Sequence, residues 1–271
     1  MFETSFGMEK TPFVRNIPPA QLYESPSMHE AHDRLCYAAK NQLFAVITAD
    51  AGCGKSTLLR KFNDGLPKDK YRILYISDSK LTPKWLYKSL LDQLGLEAGF
   101  YRGDAKKQLQ RQIDIIRNEE HRKLVCILDE AHLLEKETLE EFRFLLNMNY
   151  DSESQMSLIL AGQTELWDTK LRYRRYAAIR QRIDINCVLP HLDRSETEKY
   201  IESNLSYAGC SQSLFTDKAL DEIHRVSTGI PRIINRICTN CLIYASQQNR
   251  KLVDDHTVRF VCEHEMLVSA E

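Results

Sequence analysis

The hydrophobic pattern of the chain changes character near residue 190. Before that point short apolar runs alternate with longer amphipathic stretches, and after it only amphipathic stretches remain. Apolar runs at 43–47, 72–77, 124–128, 157–161 and 183–189 predict strands. Runs without polar alternation suit a parallel sheet covered on both faces. Apolar residues at helical spacing predict helices around 84–94, 105–118 and 136–148, and an arginine-rich helix running to about 182. Beyond 190 four helices follow, at 195–208, 217–227, 231–247 and 254–264, with no strand among them. The expected architecture is α/β: a three-layer parallel sheet over 1–190, including an N-terminal segment 1–40, followed by a small all-helical lid domain over 191–271.

The first run drops into Ala49-Asp50-Ala51-Gly52-Cys53-Gly54-Lys55-Ser56-Thr57, and this turn carries the strongest chemistry in the sequence. Gly52 and Gly54 let the backbone curl around an anion with its N–H groups pointing inward, and the helix starting near Lys55 adds its positive end. Lys55 is placed to reach the β- and γ-phosphates of ATP, and Ser56 to hold Mg²⁺. A lysine in a first helical turn opposes the dipole by roughly 0.3–1 kcal/mol, a cost that a bound polyphosphate explains. The motif departs from G-x-x-x-x-G-K-[ST] at its first position, where alanine stands at 49. A negative φ there would let the turn close.

The run at 124–128 ends in Asp129-Glu130. Two carboxylates at the end of a buried strand are costly unless they face a site. Asp129 fits the Mg²⁺ position, and Glu130 fits the general base for an attacking water. Gln163, just past the run at 157–161, is a candidate γ-phosphate sensor. Arg232, in the first turn of a helix opened by Pro231, again opposes the dipole and invites a role toward the nucleotide.

Charge narrows the picture little. The chain of 271 residues has 37 basic and 38 acidic side chains, so nucleic-acid binding would have to rest on local clusters such as Lys106, Lys107 and Arg111, or Lys170, Arg172, Arg174, Arg175, Arg180 and Arg182. With 43% hydrophobic residues the chain can bury one sizeable core and a smaller one. No apolar stretch approaches the roughly 20 residues of a membrane span and no signal sequence is visible, which gives the expectation of a cytoplasmic protein with no membrane partner. The eight cysteines sit in apolar runs or helices and are read as reduced thiols; Cys238 and Cys241 form a lone pair without the second pair that zinc needs.

The motifs resemble those of the AAA+ ATPases, and more narrowly of the ExeA/TniB/TnsC-like group. The narrow resemblance rests on Phe6-Gly7, Pro12-Phe13, Ser25-Pro26-Ser27, the P-loop, Leu128-Asp129-Glu130-Ala131-His132, Leu160-Ala161-Gly162-Gln163, Arg180-Gln181-Arg182-Ile183 and Gly229-Ile230-Pro231-Arg232. It implies the additional-strand branch of P-loop ATPases. It also implies that Arg232 is the sensor arginine of the lid, and that Arg180 or Arg182 acts in trans on a neighbouring subunit's ATP in a homo-oligomeric ring or helical filament. An RNA helicase, which shares the Asp-Glu-Ala-His string, would need a second RecA-like unit.

One branch of the group serves secretion and continues into a membrane span; the short form resembles transposon-encoded regulators. The first expectation is therefore an ATPase that assembles on double-stranded DNA and recruits a transposase, with Lys80, Thr82, Lys84 and Lys106 as backbone contacts. The alternative is an ATP-switched scaffold for a secretion or membrane partner, indifferent to DNA. Adenine contacts are expected from 13–23.

Overall fold

The computed structural model describes residues 2–78, 81–146 and 154–264. In chain order, a short α1 (Phe2–Ser5) precedes α2 (Pro26–Asn41), β1 (Phe44–Thr48), α3 (Lys55–Gly65) and β2 (Tyr71–Ile76). Helices α4 (Pro83–Gln93) and α5 (Arg102–Asn118) lead to β3 (Lys123–Leu128), α6 (Lys136–Leu146) and β4 (Met156–Gly162). Short α7 (Glu165–Asp168) and α8 (Ala177–Arg180) precede β5 (Ile185–Val188), and α9 (Arg194–Tyr207), α10 (Asp217–Ser227), α11 (Pro231–Gln247) and α12 (Asp255–His264) complete the order.

The strands form one parallel sheet in the order β2-β3-β4-β1-β5. Strand β4 lies between the strand of the P-loop and the strand of Asp129, which is the additional-strand arrangement. All five residues of β1 and all seven of β4 are buried, so the uninterrupted apolar runs have the cause expected of them. Alternate residues Leu124, Cys126 and Leu128 of β3 pack with Leu86, Leu90, Leu109 and Ile113 of α4 and α5. Val125 and Ile127 point the other way and are buried as well.

Contacts divide the chain into two units, one of Ser27–Ala51 with Lys55–Leu189, and one of Met1–Pro26, Gly52–Gly54 and Pro190–Glu271. The N-terminal segment thus goes with the helical unit up to Pro26, not with the α/β unit as expected. The cause is apolar: Met8 and Phe13 are buried in the same cluster as Ile201, Leu220, Ile237 and Leu242, and the N–H groups of Glu9 and Lys10 donate to Ala208 O. Phe13 is therefore a core residue of this unit, 6% exposed.

A further expectation is corrected. The arginine-rich stretch is not one helix: between α7 and α8 the chain makes 3-10 turns at Lys170–Arg172 and Arg174–Tyr176. Its buried positions, Leu166, Leu171, Tyr176 and Ile179, are spaced by five, five and three residues, which does not keep to one face of an α-helix. Helix α2 has a faint apolar stripe in the sequence because small residues, Ala31, Ala38 and Ala39, share its buried face with Leu35. The end of the helix expected at 136–148 falls outside the described residues beyond Leu146.

The helical unit is held by local chemistry. Asp193 and Glu196 form a reciprocal capping box on α9, with bonds of 2.7 and 2.9 Å, and Thr216 caps α10 through the Ala219 N–H. Glu222, pressed against Arg225 and Arg259, has its pKa lowered chiefly by the hydrogen bonds from Arg225. Gly229, at φ +77, packs so tightly that a Cβ there would lie 1.9 Å from Leu192 O.

Candidate nucleotide site

Strand β1 delivers the chain at Thr48 into a turn whose first residue, Ala49, is fully buried and donates its N–H to Gly162 O at 3.2 Å. Ala49 is not among the residues of positive φ, whereas Gly52 and Gly54 adopt +94 and +97. Alanine at the first motif position therefore costs the turn no backbone strain, and the two glycines stand where L side chains would be strained. Lys55 opens α3, is 8% exposed, and donates from Nζ to Ala49 O at 2.8 Å. The ammonium thus folds back over the cradle and rests on its own loop. Ser56 is exposed and Thr57 half-buried beside it. Asp50 accepts from Thr164 Oγ1 at 2.8 Å, which ties the cradle to the turn after β4.

At the end of β3 the Asp129 carboxylate is 6% exposed. Oδ2 accepts from Tyr75 Oη at 2.8 Å and Oδ1 from the Glu130 N–H at 2.9 Å. Burial, with the Asp129 hydrogen bond added, pushes the Tyr75 phenol far up, so Tyr75 remains a proton donor to Asp129. Glu130 adopts the left-handed conformation at φ 52, an uncommon choice for a side chain of its size and one that concentrates at working sites. That turn separates the two carboxylates: Asp129 stays buried while the Glu130 side chain is 42% exposed. His132 lies beside both strand ends. Its Nδ1 accepts the Gln163 N–H at 3.4 Å and stands 3.5 Å from Glu130 Oε2.

The α/β unit therefore places Lys55, Asp129, Glu130 and Gln163 at the carboxyl ends of neighbouring strands β1, β3 and β4, where ligands bind in open parallel sheets. The donor set fits Mg²⁺ with ATP: backbone N–H groups and one ammonium for phosphate, one hydroxyl and one carboxylate for the metal. Among the described residues no group of three or more His, Cys, Asp and Glu side chains could hold a metal. A phosphate-borne Mg²⁺ needs no such group.

The remaining candidates are dispersed. Arg180 ends α8 and is exposed, while Arg182 is half-buried two residues on. In the helical unit the Arg232 side chain is exposed, and its N–H donates to Gly52 O at 3.3 Å. A Cβ on Gly52 would stand 2.8 Å from the Cβ of Arg232 and 3.1 Å from the Ile230 side chain, so the bare Gly52 backbone lies against these two side chains.

Of the basic residues proposed to face DNA, Lys80 lies outside the described residues. Thr82 precedes α4 and is exposed. Lys84 places Nζ 4.6 Å from the Phe100 ring centre. Lys106 stands 3.7 Å from the buried Glu141, which also meets Arg102 and the Tyr87 hydroxyl. Burial and then Arg102 lower the Lys106 pKa. Its charge serves a buried carboxylate, which leaves less of it for an outside partner. Sequence reasoning missed Tyr75 and treated His132 only as part of a motif. All eight cysteines are free, and among the described residues no helix is long and apolar enough to cross a membrane.

Residues 38–169 match the family model described as AAA domain. Over 252 residues, 90% of the chain, the sequence is 34% identical to the General secretion pathway protein A of Aeromonas hydrophila. The chain spans 45% of that relative's length. Among solved structures it resembles Cdc6p of Pyrobaculum aerophilum, with a TM-score of 0.69, 16% identity, and coverage of 94% of this chain and 70% of that one. The Thermotoga maritima RuvB branch-migration motor is similar at a TM-score of 0.60 and 18% identity, over 87% of this chain and 67% of that one. At such identities these structures speak to the fold alone. Residues 38–169 thus form an AAA domain of the P-loop ATPase kind, within a chain that has the AAA+ fold.

Proposed function

We propose that this chain binds and hydrolyses ATP as a switch that changes its contacts with a protein partner of a secretion pathway. The observation that carries the ATPase reading is the alignment of the buried Lys55 cradle with the Asp129-Glu130 strand end across β4. The partner class follows from the 34% identical secretion-pathway relative, and it reverses the order of the two expectations. Duplex DNA and a transposase came from resemblance alone. The structure pairs one proposed DNA contact, Lys106, with an internal carboxylate.

In this reading the N–H groups of the P-loop and the Lys55 ammonium bind the phosphates, and Lys55 exchanges Ala49 O for phosphate oxygens. Ser56 and Asp129 hold Mg²⁺, which when bound neutralises charge on the transferred phosphoryl group. Glu130 takes the proton of the attacking water, and its left-handed backbone turns it out of the Asp129 environment toward solvent. Gln163, fixed through its N–H to His132, senses the γ-phosphate. Arg180 or Arg182 acts on a neighbouring copy, so hydrolysis depends on assembly.

Steady-state ATP hydrolysis with and without duplex DNA tests the choice of partner class. The secretion-switch reading expects the same rate in both. Strong stimulation by DNA would return the DNA-assembling regulator to first place.

A further inference from the structure

The edge of the sheet beside the metal-site strand is closed by a side chain instead of another strand. Strand β2 is terminal in the order β2-β3-β4-β1-β5, so among the described residues no further strand pairs with one side of its backbone. Gln93, the last residue of α4, covers that edge at Tyr75: Oε1 accepts the Tyr75 N–H at 2.9 Å, and Nε2 donates to Tyr75 O at 3.0 Å. A primary amide reproduces both bonds of a neighbouring strand and fixes the backbone from which Tyr75 projects. On its other side Tyr75 pairs with Ile127 in the β2–β3 register. Its hydroxyl then reaches Asp129 Oδ2 at 2.8 Å.

Asp129 therefore has one donor on each carboxylate oxygen, Tyr75 Oη on Oδ2 and the Glu130 N–H on Oδ1. Each oxygen keeps acceptor capacity for a metal-bound water or for the metal. The two donors prevent the carboxylate from turning about its own bond, and partners of this kind set ligand orientation in metal sites. Asp129 is 6% exposed, so little water is at hand to replace a lost donor.

We infer that Tyr75, held by Gln93, is a positioning residue that presents the Asp129 carboxylate to Mg²⁺. This rests on the ATPase reading above and adds to it a residue outside the P-loop and the Asp-Glu motif. Tyr75 touches neither nucleotide nor attacking water in this account, so its removal changes the metal requirement and leaves metal-free nucleotide binding alone.

The test titrates Mg²⁺ into the full chain with the non-hydrolysable analogue AMP-PNP and follows binding by calorimetry, with a parallel series in EDTA. Tyr75→Phe keeps the ring and removes only the hydroxyl. It is expected to raise the Mg²⁺ half-saturation by about tenfold with the EDTA affinity unchanged. Gln93→Leu, remote from the carboxylate, should raise it less, and the double variant should match Tyr75→Phe, because Gln93 acts through Tyr75.

A Tyr75→Phe protein with wild-type Mg²⁺ dependence overturns the inference, as does an equal loss of affinity with and without Mg²⁺. If wild type binds AMP-PNP with no Mg²⁺ effect, the metal site itself is misassigned and the inference falls with it. Should Tyr75→Phe fail to fold, an unshifted Gln93→Leu protein contradicts it by itself.

Discussion

The two units of the chain solve different problems with different materials. In the α/β unit, polar groups are concentrated at the carboxyl ends of buried strands. Lys55 and Asp129 are both under 10% exposed there, and each has a hydrogen-bond partner. In the helical unit, polar groups sit at helix ends and between helices: the Asp193 box on α9, the Thr216 cap on α10, and Glu222 with Arg225 and Arg259. The first arrangement leaves acceptors and an ammonium directed at a place where a ligand can bind. In the second, Glu222 is paired within the unit with Arg225 and Arg259. Lys55, Asp129, Glu130 and Gln163 all belong to the first unit, whereas the second holds Gly52–Gly54 and Arg232.

That contrast can be broken most severely at Glu130. Removing the general base with Glu130→Gln should lower steady-state ATP hydrolysis by about 10²–10⁴-fold while ATP affinity, read by calorimetry, stays near wild type. A variant that hydrolyses normally would take Glu130 out of the chemistry and leave the α/β unit a binding module only.

The helical unit should break at a point with no chemistry at all. Gly229→Ala would force a Cβ into Leu192 O at a φ of +77. The expected loss, about 3 kcal/mol, is measured by urea unfolding followed by circular dichroism. Unchanged stability would mean that the 192–229 packing yields easily.

A milder difference concerns acid. Glu222 and Asp254, both in the helical unit, have pKa values lowered, Glu222 first by Arg225 and Asp254 first by the Thr257 hydroxyl. A depressed carboxylate contributes its stability in full above the unfolded value and loses it as pH falls through the folded one. The ordinary values are 4.5 and 3.8, so the melting temperature should drop on acidification below about pH 4.5. Glu222→Gln should flatten that drop. Parallel melting profiles for the two proteins would remove Glu222 from the account.

The same contrast explains what could be read from the chain. The P-loop and Asp129-Glu130 are contiguous in sequence, and the runs of β1, β3 and β4 are buried on both faces, so local pattern and final structure agree there. Tyr75 was invisible because it meets Asp129 across 54 positions, through a β2–β3 register that no local pattern states. Helix α2 buries mainly alanines, which leave a faint stripe. The arginine-rich stretch has the composition of a helix, but its buried residues do not keep to one helical face. Residues 1–26 group with helices some 170 positions and more away, which tertiary contacts such as those of Met8 and Phe13 reveal. Lys106 read as a surface cation because its partner, Glu141, lies on another helix.

The proposed switch depends on ATP binding at the cradle of Lys55. Calorimetric titration of ATP with Mg²⁺ into wild type and Lys55→Ala tests it most directly. Saturable binding by wild type and none by Lys55→Ala at the same concentrations is the predicted result; equal binding by both proteins would contradict the account.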